Sequence, residues 1–202
     1  MKIIVIGASG TIGSGIVKLL TQQHEIIAVS RSAGDHRADI TDKPSLERAF
    51  AAIGKVDAIV SAAGSAAFKP LAALSDADFE KSLHDKLMGQ VNVVRVGAQY
   101  IRPGGSITLT SGVLAQEPMP GASAISLVNA GLEGFGRAAA LELKSGDVRL
   151  NVVSPPWVTE TLVALKMDPA PGLPAAEVAK AYAWSVEGGA TGQVIDARKI
   201  PS

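Results

Sequence analysis

The sequence predicts one doubly wound α/β domain, in which helices cover both faces of a parallel sheet. Three observations favour this class. Strand-like and helix-like segments alternate along the 202 residues, with no linker and no internal repeat between them. The strand-like segments are mainly short apolar runs rich in β-branched residues, as is typical of strands buried on both faces. The first of them runs directly into a glycine-rich turn and a helix.

The start of the chain carries the most informative pattern. KIIVI (2–6) and EIIAVS (25–30) are two buried strands, and between them lie the turn GASGTIGSG (7–15) and the helix IVKLLTQQH (16–24). A strand, a glycine-rich turn, a helix and a strand at this spacing are typical of a dinucleotide-binding Rossmann unit. The phosphates of the dinucleotide would bind the free N–H groups at the helix N-terminus.

The glycines of this turn have separate tasks under that hypothesis. Gly7 allows the chain to turn sharply off the strand, Gly10 lets the backbone approach a pyrophosphate, and Gly13 lets the helix pack close to the sheet. The alternative is that they only tighten a strand–helix turn. We predict that the following residues of the turn bind the cofactor: Gly7, Ser9, Gly10, Thr11, Ile12 and Gly13.

The end of the second strand indicates which dinucleotide is bound. Sites for NAD usually place an acidic residue there, where it binds the ribose 2′-hydroxyl. This sequence instead has Ser30, Arg31 and Ser32. A guanidinium between two hydroxyl groups suits a 2′-phosphate, and no carboxylate is present to repel it. We therefore predict NADP(H) rather than NAD(H).

Composition excludes several classes of function. The 19 basic and 19 acidic residues cancel, so nothing favours nucleic acid as a partner. The chain has no cysteine, which excludes disulfides and thiolate chemistry, and its three histidines are scattered, so no metal site is expected. The opening apolar run is too short for a signal peptide, and no stretch is long enough to span a membrane. We expect a soluble, cytoplasmic protein.

The connection after Arg31 is unusually short. A parallel crossover normally needs a dozen residues or more, usually with a helix. Only a few residues separate the second strand from ADI (38–40), which we predict as the third strand, so a bare loop replaces the helix. Asp39 would then lie beside the adenine, and we include Asp39 and Ile40 in the cofactor site. The next helix is capped by Thr41 or Asp42, has Pro44 in its first turn and ends at Gly54.

The rest of the chain continues the alternation. Ser75 and Asp78 are typical of the start of a helix, and Pro103 and Gly104 follow its end. The remaining predicted elements are the strand at 56–61 with its small-residue turn, the long helix at 76–101, the strand at 106–111, the helix at 122–143, the strand at 147–154, the loop at 155–174, the helix at 175–187 and the strand at 191–197.

With these motifs in order, the whole chain resembles the short-chain dehydrogenase/reductase family. The shared motifs are GASGTIG, DITD, SAAG, LEGFGRAAALEL, RLNVVSPPWV and TGQVIDA. The resemblance implies a single NADP-binding Rossmann domain over residues 1–202, with a seven-stranded sheet in the order 3-2-1-4-5-6-7. It also implies that Ala62, Ala63 and Gly64 line the cofactor, and that the segment from Pro155 to Val158 faces the nicotinamide.

The four residues that carry out the family's chemistry are all replaced. The family uses an asparagine, a serine, a tyrosine and a lysine. The motif KLMG aligns the asparagine position with Lys86, ITLTSGV aligns the serine position with Gly112, and LEGF aligns the tyrosine and lysine positions with Ile125 and Asn129. An isoleucine cannot donate a proton and a glycine has no hydroxyl. The resemblance is therefore to a short, divergent subgroup that keeps the cofactor motif without the standard active-site residues.

Two residues are candidates for taking over the chemistry. Lys86 would lie within a helix facing the place where nicotinamide and substrate meet, and desolvation can lower the pKa of a lysine. Ser111 precedes the lost serine and could bind a carbonyl if the strand end shifted. The alternative is that Lys86 reaches a backbone carbonyl or a phosphate and that Ser111 points away. Asn129 could still bind the nicotinamide ribose.

Two functions remain open. One is an NADPH-dependent oxidoreductase acting on an unidentified small acceptor, such as a quinone, that takes its proton from water. The other is a catalytically silent NADP(H)-binding sensor or scaffold. Family resemblance also implies a homodimer or homotetramer formed through the fourth and fifth helices, the second of which is rich in glycine and alanine.

Overall fold

The computed structural model describes residues 1–200 and contains one parallel sheet. Its strands are β1 (Lys2–Ile6), β2 (Glu25–Ser30), β3 (His36–Arg37), β4 (Val56–Ser61), β5 (Ile101–Thr110), β6 (Arg149–Ser154) and β7 (Val194–Asp196). The sheet order is β3-β2-β1-β4-β5-β6-β7, as predicted. The order reverses between β1 and β4, which is where parallel sheets of this kind bind their ligands, beyond the carboxyl ends of the strands.

Helices cover both faces of the sheet. They are α1 (Thr11–Leu20), α2 (Lys43–Ile53), α3 (Asp76–Ser82), α4 (Gly89–Gly97), α5 (Ser123–Leu143), α6 (Thr159–Ala164) and α7 (Ala175–Glu187). Alternate residues of β1 enter opposite core layers because successive strand side chains point to opposite faces. Ile4 packs with Phe50 of α2 in one layer, and Val5 packs with Ile16 and Tyr182 in the other.

The short connection after β2 is confirmed, but the predicted third strand is displaced. Residues 31–35 contain no helix, and β3 pairs with β2 through His36 and Arg37 instead of through 38–40. The pairing begins early because Asp35 exchanges two hydrogen bonds with the backbone of Ala28. It ends when Ala38 donates to the carbonyl of Ser30, the last residue of β2, so Asp39 and Ile40 lie beyond the sheet.

The helix predicted at 76–101 is divided. Its capping box is confirmed, with the Ser75 hydroxyl accepting from the Asp78 N–H and the Asp78 carboxylate accepting from the Ser75 N–H. A π-helical segment, Leu83–Met88, joins α3 to α4, and a 3₁₀ turn, Ala98–Tyr100, precedes β5. Single π-helical turns are rare and often occur at functional sites. This one contains Lys86.

The other predicted elements are largely in place. α7 has the predicted bounds, whereas α6 forms inside the predicted loop at 155–174. Strand β5 begins at Ile101 rather than at 106, with irregular pairing to β4. Asp42 is the N-cap of α2, although its side chain makes no capping hydrogen bond, and Gly54 ends that helix with a φ of +77°.

Candidate functional site

A cleft at the carboxyl edge of the sheet has two connected parts, which share Ala62, Ala63 and Gly64. The first part has a volume of about 320 Å³ and is bordered by the β1–α1 turn and the end of β2. The second has a volume of about 250 Å³ and lies between the π-helical segment, the end of β5, α5 and the segment after β6. All other predicted site residues can be placed relative to these two parts.

The first part contains most of the predicted cofactor residues. Those that line it are Gly7, Ser9, Gly10, Ser30, Arg31, Ser32, Asp39 and Ile40. Ile12, Asn129, Pro155 and Val158 line the second part. Thr11 and Gly13 line neither, since Thr11 is exposed at the start of α1 and Gly13 is buried behind Gly7.

The β1–α1 turn is built for the close approach of a ligand. Gly7 has a φ of +82°, and a Cβ there would lie 2.8 Å from the carbonyl oxygen of Ala62. A Cβ at Gly13 would overlap the Gly7 carbonyl, so α1 can begin this close to the turn only with a glycine. Helix α1 has no capping side chain and no acidic residue in its first turn. Within residues 1–200 the N–H groups of Thr11 and Ile12 have no acceptor, which fits a dinucleotide pyrophosphate.

The end of β2 is only partly as predicted. Arg31 and Ser32 are exposed, and the Arg31 guanidinium makes no hydrogen bond within residues 1–200. The Ser30 hydroxyl, by contrast, is buried and donates to the carbonyl of Ala33 at 2.6 Å, so its role is to stabilise the turn. Asp39 accepts hydrogen bonds from the N–H and hydroxyl of Thr41, at 2.9 and 2.8 Å. Burial opposes ionisation of Asp39, yet these bonds and the Arg31 charge together lower its pKa.

The four positions aligned with the family's catalytic residues meet in the second part of the cleft. Lys86, Gly112, Ile125 and Asn129 all line it. The remaining lining is largely apolar and includes Val113, Leu114, Pro156 and Trp157. The ring of Trp157 is supported edge to face by Phe68, with 5.4 Å between the ring centroids. No hydroxyl group stands where the family has its serine and tyrosine.

The side chain of Lys86 is hydrogen-bonded to the backbone of Ser111. The Lys86 ammonium donates to the carbonyl oxygen of Ser111 at 3.1 Å. The residue borders the open cleft and keeps some accessible surface, yet protein atoms surround its ammonium, and this desolvation lowers the pKa of Lys86 to about 8. The Ser111 hydroxyl points away from the cleft to Glu133 Oε1, at 3.0 Å. Ser111 therefore contributes its carbonyl and not the predicted hydroxyl.

Glu133 is the main residue that the sequence interpretation missed. It is only 3% exposed, lies one helical turn after Asn129 and accepts hydrogen bonds from Ser111 and from the Gln116 amide. Burial raises the pKa of Glu133, although the two hydrogen bonds and the charge of Arg137 act against this. The spacing of four residues from Asn129 was the available signal, since it places both on one face of α5.

Other lining residues were also missed. Ser65 donates to the Asp85 carboxylate at 3.1 Å, and both border the first part of the cleft. Thr41 also borders the first part, and Thr110, Leu114 and Thr161 border the second. Within residues 1–200 no three His, Cys, Asp or Glu side chains form a group suited to a metal ion. The helices of this same range are all too short or too polar to cross a bilayer.

Comparisons with known proteins agree with this geometry. A family model described as Enoyl-(Acyl carrier protein) reductase matches residues 11–188. The crystal structure of the protein lin1944 from Listeria innocua is 37% identical, with a TM-score of 0.92 over 97% of this chain and 98% of that one. A small-chain dehydrogenase solved in complex with NADPH is 27% identical, with a TM-score of 0.85 over 97% and 95% of the two chains.

Reductases are also found among the curated relatives. Hydroxynaphthalene reductase arp2 of Aspergillus fumigatus is 30% identical over 158 residues, which are 75% of this chain and 58% of the fungal protein. The 3-oxoacyl-[acyl-carrier-protein] reductase of Mus musculus is 28% identical over 174 residues, covering 76% and 74% of the two chains. These matches support the binding of an NAD(P)-type dinucleotide in the cleft. The chain belongs to the short-chain dehydrogenase/reductase family of oxidoreductases.

Proposed function

We propose that this protein is an NADP(H)-dependent oxidoreductase that reduces a small acceptor without the hydroxyl-based proton transfer of its family. The observation that carries the proposal is the continuity of the cleft. The glycine turn and the apolar cavity meet at Ala62, Ala63 and Gly64, so a dinucleotide held at α1 extends toward a cavity large enough for a second, small molecule. When bound, the reduced dinucleotide supplies a hydride.

The preference for a 2′-phosphate rests on Arg31. Its guanidinium is exposed at the edge of the first part of the cleft and has no carboxylate bonded to it within residues 1–200. Asp39 lines the same part, and its Oδ1 atom already accepts two hydrogen bonds from Thr41. A carboxylate positioned for the ribose 2′-hydroxyl is therefore missing, whereas a cation for a phosphate is present. The NADPH-bound structural relative supports the same choice.

Asn129 suits the other end of the dinucleotide. The residue is 1% exposed, and its Oδ1 atom has no hydrogen-bond donor within residues 1–200. Its Nδ2 atom makes only a long bond of 3.4 Å to the carbonyl of Gly112. Buried acceptors are rarely left unpaired. A hydroxyl group of the nicotinamide ribose would donate a hydrogen bond to Oδ1. The lysine that the family has at this position also binds that ribose.

A catalytically silent NADP(H)-binding protein is the second candidate, and one observation favours it. The polar groups nearest to the lost catalytic residues are already bound within the protein, since the Ser111 hydroxyl bonds to Glu133 and the Lys86 ammonium bonds to the Ser111 carbonyl. A protein with this arrangement would bind the cofactor and sense or report it without turnover.

One experiment separates the two candidates. Binding of NADPH and NADH is measured by calorimetry, and oxidation of NADPH is then followed with a panel of quinones, aldehydes and ketones. Turnover of any acceptor at a rate that depends on protein concentration supports the oxidoreductase. Binding of NADPH with no turnover of the whole panel supports the silent protein, and failure to bind either dinucleotide contradicts both.

A further inference from the structure

The cavity in the second part of the cleft has a single charged group, Lys86, among its described lining residues. An ammonium has three donors, and the hydrogen bond to the Ser111 carbonyl uses one of them. Within residues 1–200 Lys86 forms no ion pair and no second hydrogen bond. A desolvated cation without a counter-ion is unfavourable. The cavity is therefore suited to a ligand that carries, or develops, negative charge on oxygen.

The neighbouring charged groups do not neutralise this ammonium. Asp85 precedes Lys86 on the π-helical segment but accepts a hydrogen bond from Ser65 in the other part of the cleft. Glu133 of α5 lies behind Ser111 and is occupied by Ser111 and Gln116. His84, on the same segment, is exposed. The positive charge of Lys86 thus faces only the apolar cavity and the Ser111 peptide.

Lys86 is also held in place from both sides. A Cβ built at Gly64 would lie 2.9 Å from the Cα of Lys86, so the turn after β4 packs directly on the lysine backbone. The Ser111 peptide that receives its ammonium is anchored by an N–H bond to the Val153 carbonyl, at 2.8 Å, and by the Ser111 hydroxyl bond to Glu133. The ammonium is therefore fixed at one end of the cavity before any ligand binds.

The rest of the cavity limits the acceptor by size and polarity. Its volume of about 250 Å³, which must also hold the nicotinamide end of the dinucleotide beside Asn129, is below the roughly 300–1,000 Å³ typical of sites for drug-sized ligands. Leu114, Ile125 and Trp157 give it apolar walls. An acceptor of about one ring, apolar apart from its oxygen, matches these limits.

We propose that the acceptor is a small conjugated carbonyl compound, of the quinone or cyclic enone class, whose oxygen binds the Lys86 ammonium and takes a proton from it. This inference rests on the proposed function. The acceptor gains a hydride, with its two electrons, at the far end of its conjugated system, which is the β-carbon of an enone or the opposite oxygen of a quinone. The π electrons shift along that system to the carbonyl oxygen, and this oxygen receives one proton from Nζ, which water then restores. The co-reactant is the reduced dinucleotide, NADPH.

The protonation chemistry explains why conjugation matters here. A quinone leaves a phenolate-like oxygen, whose conjugate acid has a pKa of about 10, as tyrosine does. A simple ketone leaves an alkoxide, comparable in basicity to hydroxide, whose conjugate acid has a pKa far above that of a phenol. Family members stabilise the more basic oxygen with their serine and tyrosine hydroxyls, which positions 112 and 125 lack. A single ammonium suffices only for the weaker base.

The first test uses the cofactor-free protein and 4-nitrophenol, which mimics the reduced product and changes absorbance when it ionises. With the parent protein, bound 4-nitrophenol is expected to ionise at lower pH than in water, because the phenolate pairs with Lys86. In Lys86→Met the same cavity lacks the cation, so bound 4-nitrophenol is expected to ionise at a higher pH than in the parent protein. Lys18→Met, which changes an exposed lysine, is the control. Equal titration curves for the parent and Lys86→Met would overturn the inference.

The second test compares three one-ring acceptors with NADPH: tetramethyl-1,4-benzoquinone, 2-cyclohexen-1-one and cyclohexanone. We expect reduction of the first two and at least about tenfold slower reduction of cyclohexanone. Lys86→Met is expected to lose about 10²–10⁴ in kcat with unchanged NADPH affinity. Lys86→Arg keeps the charge but cannot donate its proton, so it should retain 4-nitrophenolate and still lose kcat.

The outcomes separate the inference from the function on which it rests. Equal rates with cyclohexanone and cyclohexenone, or full activity in Lys86→Met, would overturn the inference and leave the oxidoreductase intact. No turnover of any acceptor by the parent would overturn the proposed function and, with it, the assigned acceptor.

Discussion

Replacing Lys86 by methionine is expected to stabilise the fold at neutral pH, even though it removes the group assigned to the acceptor. Desolvation lowers the pKa of Lys86 from 10.5 to about 8, which corresponds to about 3 kcal/mol of unfavourable free energy in the folded state. Part of the residue is accessible, so solvent screening reduces this value. Methionine also loses the hydrogen bond to the Ser111 carbonyl, worth about 1 kcal/mol. We therefore expect a net gain of about 1–2 kcal/mol.

The pH dependence of that gain tests its cause. Below pH 8 both the folded and the unfolded chain carry the proton, so the full penalty applies to the parent. Between pH 8 and 10.5 the folded chain gives up its proton first, and the penalty shrinks as pH rises. Urea unfolding of the cofactor-free parent, Lys86→Met and the control Lys18→Met at about pH 7 and about pH 10 measures this. A variant less stable than the parent at neutral pH, or a gain unchanged at the higher pH, would refute the reasoning.

Two further predictions concern the cofactor and the assembly. Arg31→Ala deletes one ionic contact to a phosphate, so it is expected to weaken NADPH binding by about ten- to a hundredfold and to leave NADH affinity unchanged. Equal affinities of the parent for the two dinucleotides, measured by calorimetry, would contradict this. We propose that the chain forms a homodimer or homotetramer through α5, whose exposed face carries Leu127, Gly134 and Leu141. No atom lies within 4 Å of a Cβ built at Gly134, so Gly134→Gln should give monomers by light scattering with the fold intact. Gly136→Ala should instead lower the stability of the fold, because its Cβ would overlap Val152. A monomeric parent would rule out the assembly.

Local signals in the sequence predicted most of the fold. The first βαβ unit, the capping box at Ser75 and the bounds of α7 depend on residues close together in the chain, where apolar spacing and caps determine the outcome. The position of the third strand depends instead on a specific side-chain contact that apolar spacing does not indicate. Asp35 bonds the Ala28 backbone across the loop and sets where β3 begins. No periodicity in a two-residue strand indicates such a register.

In the candidate site, the positions of the residues were predictable from the sequence, whereas the directions of their side chains were not. The four positions aligned with the family's catalytic residues, Lys86, Gly112, Ile125 and Asn129, line one cavity, because their positions follow from the order of the elements. The direction in which a side chain points does not follow from the order of the elements. The Ser111 hydroxyl turns away from the cleft because it donates a hydrogen bond to the buried carboxylate of Glu133 on α5. The π-helical geometry around Lys86 was also not predictable, because a single π-helical turn adds about one residue and hardly changes the spacing of the apolar residues.

Gly112 and Asn129 occupy two of the replaced catalytic positions, and the structure shows that they fit each other. A Cβ at Gly112 would lie 2.9 Å from Nδ2 of Asn129, closer than such atoms approach. Backbone conformation is not the obstacle, because the φ of Gly112 is 166°, which any residue adopts. A serine at 112 must therefore displace the amide of Asn129, which is only 1% exposed.

Restoring the family's serine should consequently depend on what stands at position 129. Gly112→Ser alone is expected to cost about 1–3 kcal/mol of stability through overpacking. Asn129→Ala removes the opposing amide, so the double variant should cost less than the sum of the two single changes, with a coupling of about 0.5–3 kcal/mol. Urea unfolding of the four proteins completes the cycle, and Gly112→Ser combined with the distant Lys18→Met is the control for additivity. Costs that add to within about 0.5 kcal/mol would show that the two positions are independent. A measured coupling would mean instead that Asn129 disfavours a serine at position 112, so the loss of the catalytic serine and the change at the lysine position are parts of one rearrangement of the cavity.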